Sequence, residues 1–118
     1  MSAPSELVEV ALAASTLPGV VIVVDRSEAN LRWALNSLTT NGQMHARTLT
    51  VIATAPVAGG TAVGSISREV ADLQEVAEIV AAAEAVARTG PPAEDAAELV
   101  AADAPDPGWD ATPEQTSI

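Results

Sequence analysis

The chain has 118 residues, of which 48% are hydrophobic, and its formal net charge is −11 because 16 acidic residues face only five basic ones, all arginine. This length predicts one domain with a modest core, built here mainly from small aliphatic side chains. The negative charge argues against binding to nucleic acid, and apolar runs such as residues 20–24 are too short to cross a membrane.

Cysteine is absent, and histidine occurs once, at position 45. Small secreted domains often depend on disulfides, and the first ten residues show no basic segment followed by an apolar run. We therefore expect a cytoplasmic protein. Zinc sites draw three or four ligands from Cys, His and carboxylates, so the sequence predicts no metal site in this chain, and His45 is expected to face solvent.

The first half of the chain predicts one helix and four strands. Apolar residues recur at helical spacing up to Pro18-Gly19, which ends the helix. The chain is predicted to turn at residues 27–30. Hairpin turns are predicted within residues 36–43, which hold Asn41-Gly42, and at Gly59-Gly60, because both pairs tolerate positive φ angles. The strands, recognised by β-branched runs or by alternation of apolar and polar residues, are residues 20–25, 31–36, 45–55 and 61–66.

The second half predicts helices. Apolar residues recur every three or four positions through residues 67–88, which indicates a long amphipathic helix. Pro91-Pro92 opens a shorter Ala-rich helix with Leu99 and Val100 as its apolar anchors. The predicted fold class is α+β: an N-terminal helix, a four-stranded, mainly antiparallel sheet, and two C-terminal helices on one face of it.

Two side-chain positions near the predicted sheet can be assigned from the alternation. Trp33 is in phase with Leu31 and Leu35, which favours a place in the core. Asp25 and Arg26 come at the end of a strand, where both are expected to face solvent.

The segment LRWALNSLTTNG, residues 31–42, is followed by a TLTV strand, by GGTAVGS and by the long Ala-rich helix. In this order it resembles the N-terminal domain of the TldD/PmbA family, bacterial proteins described as modulators of DNA gyrase and regarded as metallopeptidases. The resemblance covers residues 20–100, and its most specific part runs from Arg32-Trp33-Ala34 to Asn41-Gly42. It implies an N-terminal domain over residues 1–103. Residues 104–118, rich in proline and acidic side chains, then resemble a linker to an absent C-terminal domain.

The resemblance also implies a role. TldD-type members act in proteolysis as zinc peptidases, usually as a heterodimer with a PmbA-type partner subunit, and their zinc ligands lie in the C-terminal domain. No residue of this chain matches those ligands, so the chain is expected to hold no cofactor and to have no catalytic residue. It is expected to pack against its own C-terminal domain and the partner subunit, and to meet a peptide substrate only in the full complex. The candidate interface residues are Arg32, Asn36, Thr39, Thr40, Asn41 and Trp109.

Other interpretations remain open at this point. Asn36 to Asn41 has the composition of a turn as well as of an interface, and Trp109 could dock on another surface or stay exposed. The chain could be a free-standing acidic interaction module that binds partners through a sheet edge. It could also be a small hydrolase that uses His45, which would require a hydroxyl and an oriented carboxylate beside that histidine.

Overall fold

The structure, a computed structural model, describes residues 3–101, 103–114 and 116, and of residues 39–41 it describes the backbone only. The α+β class is confirmed. The three strands form one antiparallel sheet in the order β1-β2-β3. The elements in chain order are helix α1 (Pro4–Ala14), strands β1 (Gly19–Ala34), β2 (Ser37–Val57) and β3 (Gly60–Glu69), a 3-10 turn (Leu73–Glu75) and helix α2 (Val76–Thr89).

The core lies between one face of the sheet and the two helices. Every second residue of β2 is buried from Arg47 to Ala55, as the two-residue period of a strand requires. The helices contribute their apolar stripes, spaced three or four residues apart. The buried core consists of Leu7, Ala11, Leu49, Val51, Ala53, Ala55, Val70, Val76, Ile79, Val80, Ala83 and Ala87.

Small residues bring α2 close to β3. A Cβ atom at Gly64 would overlap the backbone of Ala83 and Ala87, so the helix rests almost directly on the strand. This contact agrees with the close packing expected of a core made mainly of Ala and Val.

The four predicted strand segments are extended except at Leu35 and Asn36, which form a turn, and the first two segments belong to the single strand β1. The predicted turn between them is wrong, because Ser27 pairs with His45 and Asn30 pairs with Gly42 in an unbroken ladder. This stretch contains no Gly or Pro to interrupt the strand.

The hairpin predicted at Asn41-Gly42 is also misplaced. The chain reverses at Leu35 and Asn36, whose φ angles are 51° and 61°. The core register explains this position, because Val21 pairs with Val51 and the chain must turn midway between them. The second predicted turn is confirmed by the positive φ angles of Gly59 and Gly60, 91° and 153°.

Residues 91–101, predicted as a third helix, contain no helix in the structure. Leu99 and Val100, its predicted anchors, are 47% and 96% exposed. A short helix without an apolar face to bury is marginal in water. The segment instead contacts the edge of β3 at one point, where the Ala93 amide donates to the Thr61 carbonyl at 2.8 Å.

The β1–β2 hairpin extends well beyond the rest of the sheet. β3 pairs only with residues 48–57 of β2, so residues 25–47 form a two-stranded ribbon, here called the arm. The molecule accordingly measures 65 × 30 × 27 Å. No helix in the described part of the chain is long and apolar enough to cross a membrane.

Candidate functional site

The outer end of the arm exposes large apolar side chains. Leu31, Trp33, Leu35 and Leu38 are 49%, 65%, 100% and 43% exposed, and we call them the apolar tip. The prediction that Trp33 lies in the core is wrong. Its alternation with Leu31 indicates the correct strand face, but neither helix extends far enough to cover that face.

The turn at the tip has an unusual sequence for its geometry. Two-residue hairpin loops with positive φ angles favour Asn-Gly or Gly-Gly, whereas this loop is Leu35-Asn36. A left-handed conformation costs a residue with a Cβ atom roughly 1 kcal/mol. A leucine that is strained and fully exposed contributes little to the stability of the fold, and such residues are often retained for binding.

Five of the six candidate interface residues belong to the arm. Arg32 and Asn36 lie at its outer end, and Arg32 pairs with Thr40 across the ladder. The side chains of Thr39, Thr40 and Asn41 lie outside the described part of the structure. The sixth candidate, Trp109, lies elsewhere.

The indole of Trp109 docks on α1 of this chain. Its Nε1 atom donates to Oε1 of Glu9 at 3.3 Å, and the residue remains 43% exposed. The same segment is tied to α1 by Ser5, whose hydroxyl donates to Asp110 at 3.4 Å. Of the two alternatives for Trp109, the structure therefore favours docking, on a surface of the same chain.

A polar cluster lies at the base of the arm. Asp25 and Arg47 are directly opposite each other in the ladder, and Nη2 and Nε of Arg47 lie 2.6 and 2.9 Å from Oδ2 of Asp25. The Nε2 atom of His45 lies 2.6 Å from Oδ1 of the same carboxylate. The side chains of Asp25 and Arg47 are only 10% and 8% exposed. The prediction that Asp25 faces solvent is therefore wrong, whereas Arg26 is 67% exposed.

The partners of Asp25 set its charge state. Burial alone would raise the pKa of Asp25, but the hydrogen bonds from Arg47 and His45 outweigh this effect, so its pKa lies below the ordinary value of 3.8. Asp25 thus remains a carboxylate at neutral pH and neutralises the buried guanidinium of Arg47. The cluster fixes the point at which the arm leaves the core.

An open cleft of about 420 Å³ adjoins this cluster. Its polar lining comes from His45, Arg47, Glu69 and Glu75. Glu75 accepts a hydrogen bond from the Ala71 amide at 3.0 Å. Within the described part of the chain, no group of three or more His, Cys, Asp or Glu side chains is placed to hold a metal ion.

Among the described side chains, no hydroxyl group is hydrogen-bonded to His45. Asp25 supplies the carboxylate that would orient a general base, and it is hydrogen-bonded to the Nε2 atom of His45. A nucleophilic hydroxyl would have to lie beside the other ring nitrogen of His45. Ser27, opposite His45 in the ladder, instead accepts a hydrogen bond from the Thr116 amide at 3.0 Å. An activated nucleophile requires a direct hydrogen bond between the hydroxyl and its base.

A second buried carboxylate, Glu84 on α2, holds the connection between α1 and β1. It accepts hydrogen bonds from the amides of Thr16 and Leu17 at 2.7 and 2.8 Å, and from the Thr16 hydroxyl at 2.8 Å. Burial alone would raise the pKa of Glu84. These hydrogen bonds and the charge of Arg88 outweigh that effect, so the pKa lies below its ordinary value of 4.5. Because all its described bonds go to this connection, we assign Glu84 a structural role.

The face of the sheet opposite the helices is open and largely apolar. Val20, Ile22, Val24 and Val63 are 41%, 43%, 55% and 46% exposed on it. The hydroxyls of Thr50 and Ser67 form a hydrogen bond beside them. The alternating exposure of β1 shows that the run of branched residues at 20–24 is covered on one face only.

Sequence reasoning missed the Asp25–Arg47 pair and the exposure of the apolar tip. Asp25 continues the inward phase of Val21 and Val23, so the alternation of β1 was a usable signal for its burial. For the tip no such signal exists, because its exposure follows from where β3 and the helices end.

Comparisons of the chain with protein-family models, with curated proteins and with solved structures give no match. Any functional assignment therefore depends on the residues and geometry described above.

Proposed function

We propose that this chain is the non-catalytic N-terminal domain of a TldD/PmbA-like zinc metallopeptidase complex. In this role the arm and the open face of the sheet pack against the C-terminal domain and the partner subunit. They help to enclose the chamber in which peptides are cleaved. A cytoplasmic location is part of the proposal and is supported by the absence of cysteine.

The observation that carries the proposal is the location of the segment that resembles the family. Residues 31–42 form the outer end of the arm, where the apolar tip is exposed. An isolated two-stranded ribbon is only marginally stable in water, and a contiguous exposed apolar patch commonly marks an interaction site. A domain that packs on a larger neighbour would cover this patch.

The charged groups support an interaction role over a catalytic one. The buried carboxylates of Asp25 and Glu84 are engaged by Arg47 and by the Thr16–Leu17 backbone. The arm holds three of the five arginines and two of the 16 acidic residues, whereas the remaining residues are strongly acidic. The arm therefore suits a partner surface that combines an apolar recess with carboxylates.

The test is titration calorimetry of the chain against the separately purified C-terminal domains of TldD/PmbA-type proteins from the same genome. We expect the wild-type chain to bind one of them. We expect the double variant Trp33→Ala with Leu38→Ala to bind about tenfold more weakly or worse, because buried aromatic and aliphatic anchors dominate interface energies.

The matched control is Leu12→Ala on α1, a residue 54% exposed and outside the arm, which should bind like the wild type. Circular dichroism should show that all variants are folded. The proposal is wrong if the wild-type chain binds none of these domains, or if removal of both tip side chains leaves the affinity unchanged.

A further inference from the structure

The outer edge of β1 is long and open. β1 is a terminal strand of the sheet and runs for 16 residues. Among the described residues, no backbone-to-backbone hydrogen bond pairs its outer edge with another segment, although the Thr116 amide donates to the Ser27 side chain. The opposite edge, on β3, is partly covered by the Ala93–Thr61 bond. Open edges of this length are templates for pairing with another strand, and natural proteins usually protect them with Lys, Pro or bulges.

The strands of the sheet, β1 among them, carry little net charge, in contrast to the strongly acidic rest of the chain. Gly19–Ala34 contains two arginines and two acidic residues, so its formal charge is zero within a chain of −11. It contains neither Lys nor Pro. The repulsion expected between two acidic copies is therefore weak along this strand, and it is screened within about 8 Å at physiological ionic strength.

One antiparallel register makes β1 complementary to a second copy of itself. If Ser27 lies on a two-fold axis perpendicular to the sheet, Arg26 lies directly opposite Glu28 of the second copy, and the reverse pair follows by symmetry. Moving the register by two residues in either direction would place Arg26 opposite Arg26 or Glu28 opposite Glu28. A one-residue move would bring the open face of one sheet level with the helix-covered face of the other.

The same register pairs apolar residues on both sides of the axis. Val21 lies opposite Trp33, and Val23 lies opposite Leu31, which would cover half of the apolar tip. Cross-strand pairs of aromatic and β-branched residues and pairs of opposite charges are both favourable in antiparallel ladders.

We infer that the chain forms a two-fold symmetric dimer in which the β1 edges of two copies pair about Ser27 and join the two sheets into one. The occupant of this edge is a second copy of the chain. The inference depends on the edge and the charges of β1 and does not depend on the proposed function.

Charge-reversal variants and their mixture test the dimer by sedimentation velocity. Arg26→Glu places like charges opposite each other twice, and so does Glu28→Arg, so each variant alone should dimerise about tenfold more weakly than the wild type. In a mixture of the two variants, every such contact becomes an Arg–Glu pair, so a heterodimer should form. The intrachain contact between Arg26 and Glu28, 3.4 Å long, cannot produce this recovery.

Single cysteines test the register in a chain that has no native cysteine. Ser27→Cys brings two thiols to one cross-strand pair, at a Cα separation of about 5 Å, and should give a covalent dimer on mild oxidation. Ala29→Cys offsets the thiols by four residues, roughly 13 Å, and should remain monomeric under the same conditions. A wild-type chain that stays monomeric at its highest soluble concentration would refute the inference, as would dimerisation that neither charge variant weakens.

Discussion

Trp33 and Leu38 are cross-strand neighbours one pair before the turn at the end of the arm, and both are open to solvent. In an isolated domain this apolar pair stabilises little, because no element in the described part of the chain covers it. We interpret it as the docking end of the arm. The predictions below separate residues that maintain the fold from residues that are available to a partner.

The turn residue Leu35 is expected to reduce stability. Leu35→Asn should raise the free energy of unfolding by about 1 kcal/mol, because Asn tolerates the left-handed conformation better than Leu does. Urea denaturation of both chains measures this difference. If Leu35 serves in docking, the stabilised variant should nevertheless bind a TldD/PmbA-type C-terminal domain more weakly than the wild type does.

The contact between α2 and β3 depends on Gly64. Gly64→Ala should lower the free energy of unfolding by about 2 kcal/mol or more, because the added methyl group overlaps the backbone of Ala83 and Ala87. Gly42→Ala in the arm is the matched control, since a Cβ there meets no atom within 4 Å and the φ angle of Gly42 is not in the left-handed region. Equal stability of the two variants would contradict the packing described here.

The Asp25–Arg47 pair should govern how firmly the arm is attached. Asp25→Asn leaves Arg47 buried without its counter-charge, which should cost about 3 kcal/mol in unfolding free energy. The double variant Asp25→Asn with Arg47→Met should recover most of this loss. If the double variant is as unstable as Asp25→Asn, the loss of stability does not come from an uncompensated buried charge.

The lowered pKa of Asp25 predicts how stability depends on pH. Its folded value lies below 3.8, so its contribution is fully present above that value and is lost as the pH falls through the folded pKa. The pKa of Glu84 is also lowered, from 4.5, so its contribution to stability is likewise lost as the pH falls through its folded pKa. Urea midpoints measured from about pH 6 to about pH 3 should therefore fall more steeply for the wild type than for Asp25→Asn.

Glu84 should be a structural residue with a large effect. Glu84→Gln keeps one oxygen for the Thr16 and Leu17 amides, which share Oε2, but it places an NH2 group at the Thr16 hydroxyl in place of an acceptor and removes the negative charge from all three bonds. We expect a loss of about 2 kcal/mol. Glu78→Gln, at an exposed position of the same helix, should change the unfolding free energy little.

Local sequence patterns predicted the fold class and the strand segments, because alternation and helical spacing report which face of an element is buried. They failed where contacts between residues distant in sequence determine the structure. The position of the hairpin turn depends on the pairing of Val21 with Val51, and that pairing overrides the local preference of Asn41-Gly42. The exposure of Trp33 depends on where β3 ends.

The candidate site was predictable only in part. The sequence offers five candidate interface residues between Arg32 and Asn41, with a turn as the alternative for residues 36–41, and this segment forms most of the outer arm. Its membership in a family came from resemblance and stays a prediction. Trp109 showed no periodicity that could indicate its contact with Glu9, since that contact joins residues 100 positions apart.

Hydrogen exchange followed by mass spectrometry tests the docking role of the arm most directly. The chain would be measured alone and with a TldD/PmbA-type C-terminal domain from the same genome, using Arg26→Glu as a second sample in which self-association is weakened. The account predicts that amides of the outer arm, residues 31–42, become protected in both samples while those of α2 do not change. Protection confined to the helices, or none anywhere at saturating partner, would contradict it.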